Sequence, residues 1–294
     1  MTTHATPLPE SERLYNARLA VPHYPRIFEG WARASAAVRD SAPCRLDMAY
    51  GPHPIERLDL FLPAGRPRGT LMYIHGGYRR SLGKSDASHV APAFTAAGYA
   101  VAVVDYALCP AVDVETIVAQ VRRAARWLAA RHAEWEAPAG RLFACGHSAG
   151  GHLAAMLLAT ERCVAAAVCV SALYDLRPLL QVPSVMEATR FTSLNVPALS
   201  PRPAPTAHCS AAAHRAWQRR KPRLSCAVRR HPRQLASCAC GPRRLSWPRP
   251  LHHPRGADAA RRCHRRGRAA PDAVVRAMNA MATSIPTPIP PAAS

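Results

Sequence analysis

The first two-thirds of the sequence predicts an α/β fold, a mostly parallel sheet with helices on both faces. Three observations carry this. Short apolar runs alternate with amphipathic helical patterns from residue 57 to residue 170. Tyr99–Val104 (YAVAVV) and Val164–Val170 (VAAAVCV) are apolar throughout, as strands covered on both faces are. A further apolar run, Leu142–Cys145, leads directly into a Gly-rich turn and a helical pattern.

Arg57–Leu62 (RLDLFL) alternates polar and apolar residues, which predicts a half-buried strand. Leu71–Ile74 is a short apolar strand that runs into His75-Gly76-Gly77-Tyr78. Ser88–Ala97 reads as a helix stopped by Gly98. Val114–His132 places Ile117, Val118, Val121, Ala125 and Leu128 on one helical face, with Arg122, Arg123 and Arg126 on the more exposed side. Ala149–Thr160 is a helix and Val164–Val170 a further strand. The pattern then stops. From Pro201 there is no strand of period 2, and no apolar helix face longer than a turn before Ala273–Met281.

Charge divides the chain at the same point. The whole carries a net charge of +21 with 29 prolines, and Lys84 and Lys221 are its only lysines. Residues 1–200 hold 20 Arg and Lys against 16 Asp and Glu. Residues 201–294 hold 19 against 2, with 14 of the prolines. Such a segment buries too little apolar surface to offset its ordering entropy, so it is expected to be disordered. The division is therefore 1–201 as the α/β domain, lacking its C-terminal part, and 202–294 as a basic Arg/Pro/Ala/Cys-rich tail.

Met1–Arg13 is polar, carries Glu10 and Glu12 and has no apolar signal region. Nothing approaches 18 consecutive apolar residues, so no membrane span is expected. Cys44, Cys109, Cys145, Cys163 and Cys169 are scattered, and two of them sit in apolar runs. That usage suits reduced thiols in a cytoplasm better than a disulfide framework.

The chemistry centres on Gly146-His147-Ser148-Ala149-Gly150, a G-x-S-x-G that follows a buried strand and opens a helix. A tight strand-to-helix turn with small residues at both ends exposes the oxygen of Ser148 over a helix N-terminus. The backbone N–H of Ala149 can then donate to an oxyanion, helped by the helix dipole. Gly150-Gly151 lets the helix pack closely on the sheet. Two strands earlier, the amides of Gly76 and Gly77 would supply the other oxyanion donors, and His75 is read as holding this loop by hydrogen bonding. Asp105 and Tyr106, which end a strand near the pocket, are read as structural.

HGGYRRSLGKSD (75–86), VVDYALCPAV (103–112) and GHSAGGHLAA (146–155) together resemble the kynurenine formamidase branch of the α/β-hydrolases and the bacterial esterases close to it. The likeness covers about residues 14–201. It implies the α/β-hydrolase fold, a nucleophilic Ser148 and no cofactor. The implied substrate is a small molecule, an aryl formamide such as N-formylkynurenine or a small carboxylic ester. That branch usually reads HGGYW, and here Arg79 replaces the Trp beside the pocket.

Ser148 needs a base, and the base an acid, following in the order Ser, Asp/Glu, His. Asp175 comes too soon after its strand, and Glu187, Asp258 and Asp272 end no readable strand. His208, His214, His231, His252, His253 and His264 lack a framework to hold them. The triad therefore cannot be completed from the chain as written, which is expected to be inactive or nearly so. A reading-frame slip accounts for this. Read from the second base of each codon, Trp217–Arg230 permits G-x-x-[D/E]-S-x-x-F-x-x-Q-S, the form of the acid-bearing segment in the resembling branch. In the same frame, Arg249–Arg255 permits Asp-His-Phe, similar to that branch's histidine segment.

A non-enzymatic alternative gives the basic tail to nucleic acid or other polyanions. The tail shows no helix-turn-helix, RNP or zinc-finger spacing, and its aromatics are limited to Trp217 and Trp247, so no specific nucleic-acid partner is expected. Cys226, Cys238, Cys240, Cys263 and His264 include no C-x₂-C pair, and a metal site is set aside.

Overall fold

The computed structural model describes residues 9–201 and 226–229. The N-terminal arm forms α1 (Glu10–Tyr15), α2 (Ala17–Ala20) and the long α3 (Tyr24–Ser41), which lead into β1 (Cys44–Ala49) and β2 (Arg57–Phe61). Then come β3 (Thr70–Ile74), α4 (Lys84–Ala87), α5 (Ala91–Ala96), β4 (Ala100–Val104) and α6 (Val114–Ala130). After these follow β5 (Leu142–His147), α7 (Ala149–Thr160), β6 (Val164–Val170), α8 (Pro183–Thr189), α9 (Val196–Leu199) and β7 (Cys226–Arg229).

The strands form one sheet in the order β1-β2-β4-β3-β5-β6-β7. β4, β3, β5 and β6 run parallel at its centre, whereas β1, β2 and β7 pair antiparallel at the two sides. The sheet is thus mixed, with its parallel part where the sequence predicts it. Side chains alternate between two cores. Ala100, Ala102 and Val104 join Met72 and Ile74 against α6 and α7. Val101 and Val103 join Leu71 on the opposite face, with Val90, Ala91 and Phe94 from the α5 side. Helices on both faces explain why β4 carries no polar residue.

Three expectations are corrected. Arg57–Leu62 is not half-exposed, since Leu58, Asp59, Leu60 and Phe61 are all fully buried. The alternating Asp59 is kept inside by ion pairs with Lys84 Nζ at 2.9 Å and Arg39 Nε at 3.1 Å. Ser88–Ala97 is not one helix: a 3₁₀ turn, Ser88–Val90, separates α4 from α5. Pro92, in the first turn of α5, has no N–H to continue a ladder from residue 88. The chain beyond Pro201 also contributes a strand, β7, whose four residues are too few for a periodic signal. It pairs antiparallel with β6 from Ala166↔Arg229 to Cys169↔Cys226. The Ala273–Met281 pattern lies outside the described residues.

Candidate active site

β5 delivers Ser148 to the turn before α7, and the backbone there takes φ 55°, ψ −117°. A non-glycine residue at positive φ is held only by its surroundings. Here Ser148 N–H donates to Val170 O at 2.7 Å, and Ser148 O accepts from His152 N at 3.0 Å. The side chain is half-buried. The flanking glycines make the turn possible. A Cβ on Gly146 would lie 2.3 Å from the carbonyl of Gly150, and one on Gly150 only 2.0 Å from Ile74 O. α7 thus starts pressed against the end of β3, with the orphan N–H groups of its first turn facing Ser148.

The loop after β3 lies against this turn. A Cβ on Gly76 would sit 2.9 Å from His147 O and 3.6 Å from the Ser148 Cβ, which brings His75-Gly76-Gly77 and the Ser148 turn together. Gly77 takes φ 95°, and a Cβ there would meet Ser81 O. Tyr78, half-buried, and Arg79 follow at φ 59° each, so the loop is tightly wound. It is braced from outside: Arg18 Nη2 donates to Ser81 Oγ at 2.7 Å, and Tyr106 Oη donates to His75 O at 2.8 Å.

Neither nearby buried histidine is hydrogen-bonded to Ser148 Oγ. His75 Nδ1 lies 2.9 Å from Gly76 O, which only accepts, so Nδ1 carries the proton. Its ring stacks on Tyr106 at 4.3 Å, and burial pushes its pKa down to about 4. Asp105 Oδ1 lies 3.6 Å from His75 Nε2 and accepts from Lys84 N at 2.7 Å. Burial raises the Asp105 carboxyl to about 6, against the opposing Lys84 bond.

His152, one turn past Ser148, was not singled out from the sequence. Arg79 Nη2 is 2.8 Å from its Nδ1, and a guanidinium only donates. The proton of His152 is therefore on Nε2, which donates to Leu199 O at 2.7 Å. Burial first, and then the Arg79 charge, push this imidazole down to about 3, so it stays neutral. A histidine in the apolar run AGGHLAAM gives no signal of this, because its partners come from distant parts of the chain.

Among the described residues, no side chain is hydrogen-bonded to Ser148 Oγ. Asp175 is bound to Arg177, with Oδ2 at 2.6 Å from Nη2, and Glu187 is exposed on α8. Asp258, Asp272 and the six histidines considered from the sequence lie outside the described residues, as does the segment assigned to the tail other than β7. The described residues hold no group of three or more metal-ligating side chains. No described helix is long and apolar enough to cross a membrane. Cys145 and Cys169 are buried and lie outside any disulfide.

The BD-FAE family model matches residues 58–168, which span β2 to most of β6. Kynurenine formamidase of Danio rerio is 34% identical over 144 residues, 46% of this chain and 48% of that one. The Salmo salar kynurenine formamidase is 32% identical over 167 residues, 54% of each chain. The chain thus spans about half the length of these curated relatives. A solved structure from Silicibacter sp. tm1040, described as a thioesterase, superposes with a TM-score of 0.60 at 33% identity, covering 65% of this chain and 74% of that one. An esterase of Pyrobaculum calidifontis, at 21% identity and a TM-score of 0.50 over 66% and 74%, shares the fold alone. The chain belongs to the α/β-hydrolases, and about half of its length is similar to the kynurenine formamidases.

Proposed function

We propose that residues 1–201 are the nucleophile-bearing part of a serine hydrolase of the formamidase or carboxylesterase type, acting on an aryl formamide or a small ester. The observation that carries this is the strained Ser148 turn, φ 55° and ψ −117°, packed against the Gly76-Gly77 loop. Ser148 Oγ attacks the formyl or acyl carbon. The carbonyl oxygen takes the negative charge and accepts from the N–H groups of Ala149, Gly76 and Gly77. Collapse expels the amine or alcohol and leaves a formyl- or acyl-enzyme, which water cleaves.

The Ser148 proton needs an acceptor, and among the described residues neither His75 nor His152 is hydrogen-bonded to Ser148 Oγ. On this reading the written chain turns over poorly, and residues 202–294 are a frame-shifted product that lost the acid and the base. An oxyanion hole and binding alone sustain about 10³–10⁴-fold acceleration over water. Chain 1–294 should therefore hydrolyse p-nitrophenyl acetate only at that residual level, while a fluorophosphonate labels Ser148 slowly and Ser148→Ala not at all. Brisk turnover that disappears in Ser148→Ala would refute the incomplete triad. Labelling that survives the substitution would refute the nucleophile.

A further inference from the structure

The N-terminal arm ties the loop after β3 to the segment after β6, the two strands that flank β5 and its Ser148. Ser11 Oγ donates to Gln181 O at 2.5 Å, and Ser184 N donates to Glu12 Oε2 at 3.3 Å. Glu12 is buried, and its Oε1 accepts from Asn16 Nδ2 at 2.8 Å. Asn16 Oδ1 caps α2 by accepting from Arg18 N at 3.2 Å. Arg18 then reaches the loop, with Nη2 2.7 Å from Ser81 Oγ, and Ser81 Oγ lies 3.1 Å from Gly77 O. Arg80 closes the ring by donating from Nη1 to Ser184 O at 3.0 Å.

Chemistry fixes the direction of the bonds at Ser81. A guanidinium only donates, so Ser81 Oγ accepts from Arg18 and gives its one proton to Gly77 O. Its contact with a cation strengthens the hydroxyl as a donor. Gly77 has wide backbone freedom, so its φ of 95° has to be held by what surrounds it. Its carbonyl has two donors, Ser81 Oγ and Arg80 N at 3.0 Å. The two preceding carbonyls are held from inside the domain, His75 O by Tyr106 Oη and Gly76 O by His75 Nδ1. In a planar trans peptide the N–H points opposite to the carbonyl, so carbonyls pinned on one side turn the N–H groups to the other. Gly77 differs from its neighbours in that one of its two donors is itself held by the arm.

We propose that Arg18 is a positioning residue of the oxyanion loop, acting through the Ser81 hydroxyl on Gly77 O. The inference rests on the hydrolase reading of Ser148. Without Arg18 the Ser81 hydroxyl is free to rotate away, and Gly77 O keeps only Arg80 N. The loop N–H groups then face less squarely the charge that develops when Ser148 attacks. The loss falls on the transition state, with ground-state binding of the reagent little changed.

The test uses full-length chain and fluorophosphonate labelling of Ser148, resolved into the reagent's binding constant KI and its rate constant kinact. Outright removal of an oxyanion donor costs about 10²–10³-fold, and loosening of one should lower kinact about tenfold in Arg18→Met and in Ser81→Ala, with KI within about twofold. Arg18→Lys, which keeps a cationic donor, should recover most of the rate. Because both residues act along one line, the double variant should be no slower than Ser81→Ala. A wild-type kinact in Arg18→Met, a change confined to KI, or losses that multiply in the double variant would overturn the proposal. Should Arg18→Met fail to fold, Ser81→Ala decides, since the proposal runs through that hydroxyl, and a wild-type kinact there would overturn it. An unlabelled wild-type chain would overturn the hydrolase reading and this proposal together, whereas a labelled wild type with unaffected variants overturns the proposal alone.

Discussion

Gly150 fixes the distance between α7 and β3, and so between Ser148 and the Gly76-Gly77 loop. In Gly150→Ala the new Cβ would lie 2.0 Å from Ile74 O, 2.5 Å from His75 O and 2.7 Å from Ile74 C. All three are backbone atoms, which cannot swing away as a side chain end would. Cβ contacts do not fall below 3.0 Å, so helix and strand must part by about 1 Å. Overpacking of this kind costs about 1–3 kcal/mol, and more where backbone meets backbone. Alanine returns about 1 kcal/mol of helix propensity. The net loss should be about 2 kcal/mol, or about 4–8 °C in Tm for a domain of this size. Gly30→Ala is the control, because its Cβ in α3 meets nothing within 4 Å. There the same substitution should stabilise by about 0.5–1 kcal/mol. The assay is thermal and urea unfolding, with fluorophosphonate labelling of Ser148 alongside. Gly150→Ala that melts within about 1 °C of wild type and labels at its rate would refute the close-packing argument.

Asp59→Ala should cost about 3–5 kcal/mol, because it removes the fully buried partner of Arg39 and Lys84 and leaves Lys84, itself 7% exposed, with Asp47. The urea midpoint should fall with the slope unchanged, and a loss below about 1 kcal/mol would contradict the pairing. Glu161 gives a pH dependence. Burial raises its carboxyl pKa, but the bonds from Arg126 and Arg122 outweigh this and hold it below the ordinary glutamate value. Its folded pKa is depressed, so its stabilisation is present above the unfolded pKa and is lost as pH falls through the folded one. The Tm gap between wild type and Glu161→Gln should be widest near pH 7 and close below about pH 4. A gap independent of pH would show that the ion pairs add no stability.

Local patterns in the sequence revealed much of the fold. Ala149–Thr160 and Val164–Val170 have the bounds read from periodicity, and the strand–turn–helix setting of Ser148 follows from its small neighbours. The long helix Tyr24–Ser41 and the strand Cys44–Ala49 went unread. β1 is bulged between Arg45 and Met48, with Asp47 at φ 56°, which breaks the alternation a strand would show. Asp59 looked solvent-facing because its partners are 20 and 25 residues away in sequence. The Arg79–His152–Leu199 chain of contacts joins three separate segments, so no short window could contain it.

The central proposal is that the chain keeps its nucleophile but lacks the base and acid that the shifted frame permits. It is tested most directly by comparing chain 1–294 with a version whose gene carries a one-base frame correction between codons 202 and 218. Hydrolysis of N-formylkynurenine would be measured for both. The corrected chain should turn over at least about 10⁴-fold faster, as expected when a complete triad replaces an isolated serine, and Ser148→Ala should abolish the gain. Equal rates in the two chains would contradict the account.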